Sequence, residues 1–140
     1  MYAHVLNEDL AFSDSINRSI LVVDDEYDIL DIIRQCLQLD GFKVCTFADP
    51  LAALEHFYSN SKDHNIVISD IRMPGMNGYE FAKQVKNINP EVKVILMSAC
   101  EIEDKEFSNV LPDVRIDVFI KKPFSPKMLK NVIVQQQNLP

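Results

Sequence analysis

The chain has 140 residues, 47% apolar and 25% charged, with a net charge of −7 at neutral pH. This composition suits one globular domain with a real core; the negative balance argues against a nucleic-acid-binding surface and suits a protein that tolerates or needs divalent cations. The three cysteines, Cys36, Cys45 and Cys100, are odd in number and lack metal-type spacing, and no stretch reads as a signal peptide or a membrane span, so free thiols in a reducing cytoplasm are expected, buried at Cys36 and Cys45.

Residues 1–18 are weakly patterned and read as a flexible leader or a short docking helix. Ser19–Val23 is a short apolar run, a first strand, and three acids follow it, Asp24, Asp25 and Glu26. Ile29, Ile33, Cys36 and Leu37 then recur at helical spacing, with Gly41 as a stop. Residues 42–47 alternate as a second strand. Asp49 and Pro50 pair an N-cap with proline at the first helical position, and Leu51, Leu54, Phe57 and Tyr58 are expected to form the buried stripe of that helix. Residues 59–65 read as a polar loop. Residues 66–70 form a buried strand ending at Asp70, after which Pro74, Gly75 and Gly78 force a tight loop.

Phe81, Ala82, Val85 and Ile88 mark a third helix that must end before Pro90. Residues 92–97 are a fourth strand ending at Ser98. Residues 102–111 form a weaker acidic helix, stopped by Pro112. Residues 116–121 are a fifth strand. Ser125 and Pro126 repeat the cap-and-proline signal before a last amphipathic helix carrying Met128, Leu129, Val132 and Ile133, which ends near Gln136. The domain is expected over residues 19–136, with a tail at 137–140. Five βα repeats predict a parallel sheet covered by helices on both faces, with right-handed crossovers.

In a parallel sheet all strand carboxyl ends lie at one edge, so Asp24, Asp25, Asp70, Ser98 and the pair Lys121-Lys122 converge on one crevice, where ligands of open α/β sheets bind. Crowded carboxylates repel and need a cation to stay ionised; all-oxygen ligands select a hard ion, Mg²⁺ or Mn²⁺. A lysine and a hydroxyl nearby complete a site for a phosphoryl group, and a carboxylate can serve as its acceptor. Asp70, at a rigid strand end in the middle of the group, is the candidate.

These residues resemble the receiver domains of two-component response regulators. The matching segments are residues 21–26 (Leu-Val-Val-Asp-Asp-Glu), Asp70 with residues 73–78 (Met-Pro-Gly-Met-Asn-Gly), residues 97–99 (Met-Ser-Ala) and residues 122–124 (Lys-Pro-Phe). The resemblance covers about residues 19–136. It implies a flavodoxin-like (βα)5 fold with strand order 2-1-3-4-5. It implies that Asp70 accepts phosphate from a phosphohistidine of a sensor histidine kinase or phosphotransfer protein. Asp24, Asp25 and Asp70, with the backbone carbonyl of Arg72, would hold Mg²⁺ or Mn²⁺. Ser98 would reorient toward the phosphoryl group with Phe119 turning inward, and Lys122, before a typically cis Pro123, would pair with the phosphate. The output face would be the fourth helix, fifth strand and fifth helix, meeting a downstream protein or forming a phosphorylation-dependent homodimer. The chain would catalyse only its own phosphorylation and dephosphorylation, in the cytoplasm, without binding nucleic acid or membrane.

Two departures fall near that output face: Arg115 and Ile116 stand where the family usually has Gly-Ala before Asp117, and Pro112 breaks the preceding helix. Arg72 and Cys100, which by the resemblance flank the path of hydrolytic water, are neither carboxylate nor amide, so slow autodephosphorylation is expected. Three other readings compete. A haloacid-dehalogenase-type phosphatase would want a second Asp where Arg72 stands. A flavin or nucleotide module would want a Gly-rich loop where Asp24, Asp25 and Glu26 stand. A receiver-like module that is never phosphorylated would not need the intact acid, hydroxyl and lysine set. The chain reads as a single-domain regulator or as a receiver cut from a longer protein.

Overall fold

In the computed structural model, residues 19–99 and 114–138 are described. The leader, Cys100, the acidic helix at 102–111, Pro112 and the last two residues lie outside them. The described elements are β1 (Ser19–Val23), α1 (Tyr27–Leu39), β2 (Lys43–Phe47), α2 (Pro50–Asn60), a 3₁₀ turn (Ser61–Asp63), β3 (His64–Asp70), α3 (Gly78–Ile88), β4 (Lys93–Ser98), β5 (Val118–Lys121) and α4 (Pro126–Gln137). The five strands are all parallel, in the order β2-β1-β3-β4-β5.

Alternation along the strands sorts the core into two layers, because successive side chains point to opposite faces. Leu21, Val23, Val67, Val94 and Leu96 meet Ala53 and Phe57 of α2 and Phe81, Ala82 and Val85 of α3. Ile20, Val22, Ile66, Ile68, Ile95, Met97 and Ile120 meet Leu30, Ile33 and Leu37 of α1 and Leu129 and Ile133 of α4. The three inner strands are buried on both faces, which is why their sequence is a nearly continuous apolar run. At the edge, β2 is only half-buried.

The helix ends follow local chemistry. Asp49, Asn77 and Ser125 each accept a backbone N–H of the first turn with their side chains, and Pro50 and Pro126 open their helices. Gly41 takes φ +89° after α1, a conformation that favours glycine.

Several expectations need correction. Leu51 and Tyr58 are 54% and 75% exposed, whereas Phe57 is buried and Leu54 packs against the core as expected; Pro50 and Ala53 complete the buried stripe of α2. Ala53 and Phe57 meet the sheet together, and Leu51 and Tyr58 lie on the solvent side of the helix. The polar stretch at 59–65 is the end of α2, a 3₁₀ turn and the first two residues of β3. In α1 the fully packed positions are Leu30, Ile33 and Leu37, with Ile29 at the margin. Met128 in α4 is exposed. Strand β5 starts at Val118; Asp117, just before it, donates its amide to the Val94 carbonyl at 3.0 Å, while its Oδ2 accepts from Lys86 Nζ at 2.8 Å and from the Val94 amide at 2.7 Å. Cys36 and Cys45 are free thiols but only half-buried. Among the described residues no helix is long and apolar enough to cross a membrane.

Candidate phosphoacceptor site

The carboxyl ends of β1, β3, β4 and β5 place the candidate residues. Register pairs Asp70 with Met97 and Ser98 with Lys121, so the ends of the three strands finish nearly level. The Lys122 amide donates to the Ser98 carbonyl at 2.7 Å, which fixes the start of the loop carrying the lysine. The Lys122–Pro123 peptide is cis.

Lys122 Nζ lies 2.9 Å from Asp24 Oδ2 and 3.5 Å from Asp70 Oδ1, bridging two acids that come from different strands. Backbone amides supply the remaining support. The Glu26 N–H donates to Asp24 Oδ1 at 2.9 Å, and the Ile71 N–H donates to Asp70 Oδ1 at 2.9 Å. Asp24 is completely buried, Asp70 and Ser98 are 8% exposed, and Asp25 stands open to solvent. One carboxylate oxygen from each of Asp24, Asp25 and Asp70 lies within 4.8 Å of the others, a group able to hold a metal ion.

The electrostatics are in tension. Burial, with the Asp24 charge adding to it, raises the Asp70 pKa despite the opposing pull of Lys122 and the Ile71 amide. For Lys122, burial disfavours the charge, but the hydrogen bond and charge of Asp24, together with Asp70 and Glu26, outweigh it and raise the pKa above the ordinary lysine value. The lysine therefore stays charged while one cation serves two buried acids. The all-oxygen donor set and this excess negative charge fit a hard divalent cation.

The loop after Asp70 is held by contact with Gly78. The Gly78 amide donates to the Ile71 carbonyl at 2.8 Å, and a Cβ at this position would collide with the Asp70 carbonyl. Gly75 has φ +88°. Arg72 is exposed at the rim. Phe119 on β5 is 43% exposed, its ring centroid 6.1 Å from that of Tyr79. Sequence reasoning overlooked the Glu26 and Ile71 amides, since a backbone donor leaves no residue-type signal.

Residues 20–134 match the family model of the response regulator receiver domain. The chain belongs to that family. It is 35% identical over 111 residues to the response regulator SaeR of Staphylococcus aureus, an alignment that covers 79% of this chain and 46% of SaeR, so the chain spans about half the length of that relative. Among solved structures, it resembles a response regulator receiver domain protein from Clostridium thermocellum at 28% identity, with a TM-score of 0.77 over 86% of this chain and 94% of that one. It also resembles the response regulator TrrA from Thermotoga maritima, solved in complex with Mg²⁺-BeF, at 30% identity, with a TM-score of 0.74 over 85% and 98% of the two chains. The fold expected from the sequence agrees with these structures, and its strand order is the one this chain shows.

Proposed function

We propose that residues 19–136 form a switch in which Asp70 accepts a phosphoryl group from a phosphohistidine of a sensor kinase or phosphotransfer protein. The observation that carries this reading is that Asp70 lies within reach of both the Asp24–Asp25 pair and the Lys122 ammonium, which bridges Asp24 and Asp70. An Asp70 carboxylate oxygen attacks phosphorus, the new P–O bond forms, the P–N bond of the donor breaks, and the released imidazole takes up a proton. Because Asp70 Oδ1 is engaged by the Ile71 N–H and faces Lys122, Oδ2 is the oxygen best placed to attack.

Asp24, Asp25, Asp70 and the Arg72 carbonyl would hold Mg²⁺, which Mn²⁺ could replace. When bound, the cation neutralises charge on the phosphoryl oxygens. Lys122 exchanges part of its contact with Asp24 for a phosphoryl oxygen, and the Ser98 hydroxyl donates to another. Those movements pull on the ends of β4 and β5, and Phe119 turns inward. The output face that the resemblance implies, of which β5 and α4 are described, then changes its affinity for a downstream protein or a second copy. The chain acts on no substrate beyond its own phosphoryl group.

Amide spectra of the protein with Mg²⁺ and beryllofluoride, a phosphoryl mimic, test this reading. Resonances of Ile71, Ser98, Phe119 and Lys122 should shift together, and in Lys122→Ala the Phe119 shift should be lost. An unaltered Phe119 shift in that variant would assign the coupling to another cation.

A further inference from the structure

Away from the acidic crevice, a second group of ligating side chains meets on the opposite part of the sheet. His64 is the first residue of β3, His56 lies in the second half of α2, and Cys45 is midway along edge strand β2. One ligand atom from each lies within 4.8 Å of the other two, and the Nε2 atoms of the two histidines are 2.8 Å apart. We propose that Cys45, His56 and His64 form a second metal site, for Zn²⁺.

The hydrogen bonds prepare His64 as a ligand. Its Nδ1 is 3.2 Å from the Ser19 carbonyl, which can only accept, so Nδ1 carries the proton and Nε2 carries the lone pair aimed at the cluster. A ring N–H tied to a backbone carbonyl is how metal-binding imidazoles are oriented. His64 is 2% exposed, and burial lowers its pKa, which keeps the ring neutral and able to ligate. Phe57 stacks on His64 with centroids 6.0 Å apart, and Phe47 lies 5.0 Å from His56, giving the site an apolar wall. Cys45 and His56 are half-buried, which leaves an approach for the ion and a water as fourth ligand.

Without metal, the His56 Nε2–H donates to His64, which accounts for the 2.8 Å separation. Binding requires two proton movements. The Cys45 thiol loses its proton to solvent. His56 gives up its Nε2 proton and takes one at Nδ1, which exchanges the long 3.4 Å contact with the Asn60 amide nitrogen for water at this half-buried ring, while Asn60 keeps its 2.9 Å hydrogen bond to the His56 carbonyl. The two Nε2 atoms must then separate to about 3.3 Å to suit tetrahedral Zn–N bonds of about 2.0–2.1 Å. A set of two imidazoles and one thiolate favours a borderline-soft ion over Mg²⁺. The two sites are also distant, since β3 has seven residues between His64 and Asp70 inclusive and so spans about 20 Å.

Cobalt(II), a spectroscopic substitute for Zn²⁺, tests the site in the full chain with excess Mg²⁺ present to occupy the carboxylates. One equivalent of Co²⁺ should produce a near-ultraviolet thiolate-to-cobalt charge-transfer band that Zn²⁺ abolishes. The band should vanish in Cys45→Ser, weaken at least tenfold in apparent affinity in His56→Gln, and persist in Cys36→Ser, Cys100→Ser and Asp70→Asn. On the unmutated protein, Zn²⁺ should slow alkylation of Cys45 at least tenfold more than that of Cys36, read residue by residue by mass spectrometry. A hydrogen-bonded histidine pair only would give no band and no selective protection, and that result would overturn the proposal. So would a band that survives Cys45→Ser or disappears in Asp70→Asn.

Discussion

His64 opens β3 and Asp70 closes it, and burial pushes both side chains toward their neutral forms, lowering the imidazole pKa and raising the carboxyl pKa. The surroundings then treat them differently. His64 finds a carbonyl at Nδ1 and a second imidazole at Nε2, so as a neutral group it is fully hydrogen-bonded within the fold. Asp70 shares a single lysine with a completely buried second acid and faces a third at the surface. One end of the strand is satisfied internally, whereas the other holds a conflict that, while Asp70 stays ionised, an added cation relieves. The first kind of group costs the fold little and, with its lone pair already oriented, is prepared for the metal site proposed above; the second kind is kept at a stability cost and points to a function.

The largest expected effect tests how rigidly the conflicted end is held. Gly78→Ala drives a methyl group into the Asp70 carbonyl, and backbone there cannot give way cheaply. It should lower stability by about 3 kcal/mol, the upper range for overpacking, in denaturant unfolding. An effect below about 1 kcal/mol would mean that the loop yields and that Asp70 is less fixed than its contacts imply.

A smaller effect of opposite sign should follow from Asp70→Asn. Because the folded-state carboxyl pKa is raised, Asp70 favours folding when protonated, and that contribution is present below its unfolded pKa and lost as pH rises through the folded one. At neutral pH in EDTA the amide should therefore be more stable than the wild type by on the order of 1–2 kcal/mol, the usual range for relieving a poorly compensated buried group. Mg²⁺ should narrow the gap, since it stabilises the carboxylate form. Equal stabilities in EDTA would remove the claimed conflict.

The smallest effect belongs to the satisfied end. His64 has a depressed pKa, set by burial, with the neighbouring His56 adding to it and the Ser19 carbonyl and Asp63 opposing it. Its contribution is present above the unfolded pKa and is lost as pH falls through the folded value. Metal-free protein should lose stability as pH drops below about 6.5, the ordinary histidine value. His64→Gln should flatten that slope without changing the behaviour of Asp70. An unchanged slope would place the titrating group elsewhere.

The contrast also explains what could be read from the sequence. The acidic crevice was legible because Asp24, Asp25, Asp70, Ser98 and Lys122 each follow an apolar run, and a parallel sheet brings such positions to one edge without any knowledge of side-chain packing. The histidine cluster was not legible. His56 and His64 are brought together only by the 3₁₀ turn that the polar stretch at 59–65 concealed, and Cys45 joins them through strand pairing across β1. The stripe of α2 is legible only in part: Phe57 is buried and Leu54 packs on the core, but apolar residues lie on both sides of this helix, and residue type alone does not exclude Leu51 and Tyr58, which are exposed. The Asp117 pairing with Lys86 depends on residues 31 apart and gives no local signal.

Intact-protein mass after incubation with acetyl phosphate tests the central claim, that Asp70 is the phosphoacceptor, most directly. With Mg²⁺ the wild-type chain should gain one phosphoryl group, EDTA should prevent the gain, and Asp70→Asn should show none while remaining folded. Labelling of Asp70→Asn to the wild-type extent would contradict the account and move the acceptor to another residue.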